Sequence, residues 1–85
     1  LPRYYFDIDR GYSLIDNSGM VLHDGKHAHH EALQRAAEFA CDANNLRSPG
    51  AIVVTVRDGP QSILLTVRLV CVVEGQDLPL GASAP

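Results

Sequence analysis

The stretch AIVVTVRDGPQSILLTVRLVCVV, Ala51 to Val73, decides the fold. Its two halves, Ala51 to Arg57 and Ser62 to Val73, are rich in β-branched residues, and the Asp58-Gly59-Pro60-Gln61 segment between them has hairpin length. Together they predict an antiparallel hairpin. In the second half Ile63, Leu65, Val67, Leu69 and Cys71 share one face by simple alternation, whereas Leu64, Val70 and Val72 fall on the face that should be wet. Because a monomer rarely leaves a large apolar patch uncovered, those three residues form a candidate interface.

Upstream of the hairpin the pattern stays β-like at first. From Arg3 to Asp9, Tyr4, Phe6 and Ile8 alternate with Arg3, Tyr5, Asp7 and Asp9, the period of a half-buried strand. Arg10-Gly11 turns the chain, Tyr12 to Ile15 returns antiparallel, and Asp16-Asn17-Ser18-Gly19 breaks it before a short extended piece at Met20 to Leu22. From Asp24 the period becomes helical. Steps of 100° gather Ala28, Ala32, Leu33, Ala36, Phe39, Ala40 and Ala43 into one arc, with Glu31, Arg35, Glu38 and Asp42 at or beyond its edge. Asp24 is placed to cap the first turn, and Asn44-Asn45 with Ser48-Pro49-Gly50 to end the helix. Small side chains on that arc let a helix lie close to a sheet. The expected fold is α+β, a two-layer sandwich of an antiparallel sheet and one helix in the order β-β-(β)-α-β-β. It forms one domain over residues 1–74, and the glycine- and proline-rich 75–85 make a weakly ordered tail.

Composition limits the partners. A net charge of −3 gives no electrostatic footprint for nucleic acid, no apolar run has the length of a membrane span, and the opening LPRYYFDID lacks the order of a signal peptide. A cytoplasmic protein is expected. Cys41 and Cys71, set among alanine, phenylalanine and valine, read as small buried hydrophobes in a reducing compartment. A domain of 85 residues buries a modest share of its surface, which favours association with a second copy or with another small protein.

All four histidines lie in HDGKHAHHEALQ, His23 to Gln34. On a helix His27 and His30 are one turn apart, a spacing at which two imidazoles can share a metal, with His23 or Glu31 as a third ligand. His29 projects instead into the apolar arc, and no HExxH or paired CxxC spacing supports a centre. The stretch therefore reads better as a solvated helix start, with no cofactor beyond zinc or nickel taken up adventitiously. Asp7, Asp9 and Asp16 could hold a divalent ion between strands, but two of them sit on a strand's polar face and the third in a turn that favours aspartate. Tyr4, Tyr5 and Tyr12 fit cross-strand packing better than a ligand patch. Cys41 has no neighbouring base to make it a nucleophile.

PRYYFDI, the GxxL of Gly19 to Leu22 and HEALQRAA resemble a family of small bacterial proteins of unknown function, over roughly residues 2–70. Pro2, Arg3, Tyr4, Phe6, Asp7, Asp16, Gly19, Leu22, Asp24, Ala28, Glu31, Ala32 and Leu33 stand at that family's pattern positions, while His27, His29 and His30 occupy slots it leaves open. The resemblance implies no activity. A looser likeness of layout is to antitoxins of the HicB type, which implies binding to a partner protein. A non-enzymatic, homodimeric association module is expected, with a HicB-like regulator or a small metal-binding protein or enzyme as alternatives.

Overall fold

The computed structural model describes residues 1–46 and 50–75; Ser48 and Pro49, expected to close the helix, and the tail from 76 onward lie outside them. Strand β1 (Arg3–Asp9) is followed by the two-residue strands β2 (Ser13–Leu14) and β3 (Met20–Val21), helix α1 (Gly25–Ala40), a 3-10 turn at Ala43–Asn45, and the hairpin β4 (Gly50–Gly59) and β5 (Ser62–Cys71). All strand pairs are antiparallel. They form one sheet of five strands in the order β2-β1-β4-β5, with β3 on β1 as well. The α+β class and the element order β-β-β-α-β-β are those the periodicity predicts.

The helix covers one face. Tyr4, Phe6 and Ile8 of β1, Val54 and Val56 of β4, and Ala28, Ala32 and Ala36 of α1 make the buried cluster, with Met20, Leu22, Phe39, Leu65 and Val67 packed around it. The three alanines recur every fourth residue and bring the helix backbone close to the bulky strand residues, with Phe39 packed beside them and the Arg35 guanidinium over the Phe6 ring. A helix seated on so narrow a stripe buries less of its circumference than the sequence arc assigned. Leu33 remains 48% exposed, Ala43 lies in the 3-10 turn and is exposed, and His29, expected inside the arc, is exposed too. Neither thiol is a core residue either: Cys41 is exposed at the helix end, Cys71 is half-buried at the end of β5, and both are free.

The hairpin departs from strict alternation. Val56 pairs with Leu65, but the next pair is Arg57 with Ile63 and the last is Gly59 with Ser62. Leu64 is thus an extra residue on β5 and Asp58 an extra residue on β4, a pair of bulges that shortens the turn to Pro60-Gln61. An extra residue inverts the faces beyond it. Ile63 therefore joins Arg57 and Thr55 on the outer face, where it lines a shallow depression with Asp7 and Ile15. Leu64 turns to the helix side instead, where its Cδ2 would lie 3.6 Å from a Cβ built on Gly25. The two are the reverse of the sequence expectation, which no hydrophobic pattern could signal because both residues are apolar.

Candidate functional site

The two edges of the sheet are built differently. On the β2 side, β1 carries a ladder at each end: Arg3 and Tyr4 pair with β3, and Ile8 and Asp9 pair with β2. Between them, among the described residues, the backbone of β1 has no strand partner on that side, and the Asp16 side chain takes that place. Its Oδ2 accepts from the Phe6 amide at 3.0 Å, while Oδ1 accepts from the amides of Ser18 at 3.0 Å and Gly19 at 2.9 Å. The Asp16 amide in turn donates to Asp7 Oδ1 at 2.9 Å. One carboxylate both closes its own turn and completes the strand edge.

Gly19 makes that turn possible. Its φ of +73° lies in the left-handed region, and a Cβ there would meet Arg3 Cγ, the Tyr4 carbonyl oxygen and Tyr5 Cε2, each at 2.9 Å. No side chain fits.

Arg57 locks the same turn from β4. Its Nε donates to Asp7 Oδ2 at 2.7 Å, its Nη2 to Asp7 Oδ1 at 3.0 Å and to the Asp16 carbonyl at 2.9 Å, and the guanidinium stacks over Tyr5 at 5.0 Å. The Arg57 fork holds the Asp7 carboxyl below the usual carboxylate range, and the bond from the Asp16 amide acts in the same direction. For Asp16, burial works against ionisation, but the amide donors of Gly19, Phe6 and Ser18 outweigh it and its pKa is lowered as well. Asp7, Asp9 and Asp16 thus do not converge on an ion. The first is paired with arginine, the second accepts from the Gly11 amide at 3.1 Å, and the third is filled by backbone.

A second tie holds the far end. The Arg10 guanidinium lies between the Tyr12 ring at 4.6 Å and the Phe39 ring at 5.1 Å and donates to Asn45 Oδ1, whose amide nitrogen donates to the Phe39 carbonyl at 2.9 Å. This fastens the β1–β2 turn to the end of α1. Tyr4 is a core residue, Tyr5 a platform for Arg57 and Tyr12 one for Arg10, so the three tyrosines do not form a common patch.

The histidines disperse around the helix start. Asp24 caps α1, accepting from the His27 amide at 3.0 Å, and His27 Nδ1 meets the same oxygen at 2.7 Å, the principal cause of a lowered Asp24 pKa. His23 stands edge-on to the His27 ring at 5.7 Å, and His30 lines a groove with His27 and Lys26, whose ammonium would oppose a second cation. Glu31, the expected carboxylate of the cluster, bonds Arg35 Nε at 2.8 Å instead. Among the described residues no three histidine, cysteine, aspartate or glutamate side chains gather as a metal would require. Nor, among those residues, is any helix long and apolar enough to cross a membrane.

The opposite edge belongs to β5. This strand runs ten residues and, among the described residues, pairs with β4 alone and has no second ladder along its other side. Val70 is 60% and Val72 61% exposed, and Leu69 and Val73 are exposed beside them. Arg68 is the strand's only charge. Strand edges in stable monomers are ordinarily short, bulged, charged or covered, and from Leu65 onward β5 has little of this protection.

A family model described as a domain of unknown function, DUF6894, matches residues 3–70, the span from the first residue of β1 to the penultimate residue of β5. No curated protein and no solved structure matches the chain.

Proposed function

Because the chain belongs to the DUF6894 family, whose function is unknown, its role must be sought in its own surfaces, and we propose that it is an association module acting through the free edge of β5. The partner is a second copy. The observation that carries this reading is the contrast between the two edges: one is closed by two short ladders and the Asp16 carboxylate, the other is long, apolar and, among the described residues, without a second strand. An added strand would satisfy the backbone groups of β5 and cover Val70 and Val72 in one step, the physics of β-strand addition. Identity of the partner follows from symmetry, since a strand that is apolar along its free side can complement itself antiparallel about a two-fold axis. It also follows from size, because a domain whose helix buries only an alanine stripe and its flanks gains much from a shared sheet.

Sedimentation velocity over roughly 1–100 µM tests this, a range set by the weak end of specific interfaces. The wild type should pass from monomer to dimer, and Val70→Lys should remain monomeric with its fold intact by circular dichroism. A wild type that is monomeric across the range overturns the proposal.

A further inference from the structure

Building on β5 as the pairing edge, we infer the register of the dimer: the two strands run antiparallel with the two-fold axis at Cys71. In that register the edge is complementary to itself. From Ser62 to Gly75 the chain carries only two charges, Arg68 and Glu74, and among the described residues neither has an ion-pair partner within its own copy. In an antiparallel pair about a two-fold axis, residue numbers opposite one another have a constant sum, and residues directly opposite share a face. Setting Arg68 opposite Glu74 of the second copy fixes that sum, and its midpoint is Cys71.

The same register settles the apolar residues without further adjustment. Val70 then faces Val72 of the other copy and Leu69 faces Val73, so the four exposed apolar side chains at the end of β5 and just past it cover one another. Arg68 lies opposite Val53 of β4, which in turn lies opposite Asp9 of β1, so Arg68 is on the face away from the helix. Continued alternation places Val70, Val72 and Glu74 on that face as well. Neighbouring registers do worse. An axis at Arg68 opposes two guanidiniums, and an axis at Leu69 or Val70 sets Arg68 against a valine and leaves Glu74 without its cation.

Charge exchange and thiol cross-linking test the register separately from dimerisation. Arg68→Glu and Glu74→Arg should each weaken the dimer about tenfold, because each change places two like-charged pairs across the axis. The double variant should return to within about threefold of wild type. In a Cys41→Ser background, diamide should oxidise the two Cys71 thiols to an intersubunit disulfide, itself taking up the two electrons and two protons. A control carrying Leu69→Cys with both native cysteines changed to serine should cross-link poorly, since its thiols would sit about 13 Å apart along the strands. A dimer that ignores both single charge reversals, or that cross-links through residue 69 in preference to 71, overturns the register and leaves edge association standing. A monomeric wild type overturns both.

Discussion

Replacing Asp16 with alanine removes more than a turn residue. Its carboxylate accepts from three backbone amides, and the consequences for the three differ. Ser18 is exposed and Gly19 half-buried, so their amides can turn to water. Phe6 cannot follow, because it sits in mid-strand at 2% exposure with the helix on one side of it and, among the described residues, no alternative strand at that edge. Leaving one such donor unsatisfied costs about 1–3 kcal/mol, and loosening the turn that Arg57 also grips adds about 1 kcal/mol. Asp16→Ala should therefore destabilise the fold by about 2–4 kcal/mol. With a urea m-value of about 1 kcal/mol/M for so small a domain, the unfolding midpoint should fall by about 2–4 M, or the variant should be partly unfolded in buffer. Asp16→Asn keeps a carbonyl oxygen that can still accept from Phe6 and should lose about half as much. Equilibrium urea unfolding followed by circular dichroism, at one fixed protein concentration so that association does not confound it, reads both. If Asp16→Ala stays within about 0.5 kcal/mol of wild type, the carboxylate does not complete the strand edge.

Gly19→Ala should cost at least about 2 kcal/mol, since the new methyl meets the Tyr4 carbonyl oxygen at 2.9 Å in a left-handed backbone; a thermal melt that matches wild type would refute the close approach. Asp7 and Asp16 have carboxyl groups with pKa values lowered by folding, so the stability they contribute is present in full above the unfolded value and is lost as pH falls through the folded ones. Urea midpoints of the wild type should accordingly drop from about pH 4 downward. Asp7→Asn should be less stable at neutral pH and show a flatter acid limb, whereas parallel curves for the two proteins would deny Asp7 that role.

The alternation of Tyr4, Phe6 and Ile8 and the alanine stripe at 28, 32 and 36 announced the two layers because each pattern has only one regular structure that buries it. The bulge at Leu64 was invisible, since Ile63-Leu64-Leu65 is apolar throughout and an inserted residue leaves no contrast between the faces. The exposure of His29 and Leu33 was missed for a different reason. Angular arcs assume a broad contact, and a helix standing on methyl groups makes a narrow one. Asp16 was legible as a turn residue but not as the partner of Phe6, because that bond depends on the gap between two ladders, a feature of topology. Arg57 carried no signal at all until β1 and β4 were aligned beside each other.

The most direct measurement is backbone hydrogen exchange at two protein concentrations, about 1 µM and about 100 µM, resolved to the segments of the sheet. Edge pairing of β5 predicts that amides between Arg68 and Glu74 exchange more slowly at the higher concentration, while those of β2 and of the α1 start exchange alike at both. Exchange in β5 that does not change with concentration, or protection that appears at the β2 edge instead, would contradict it.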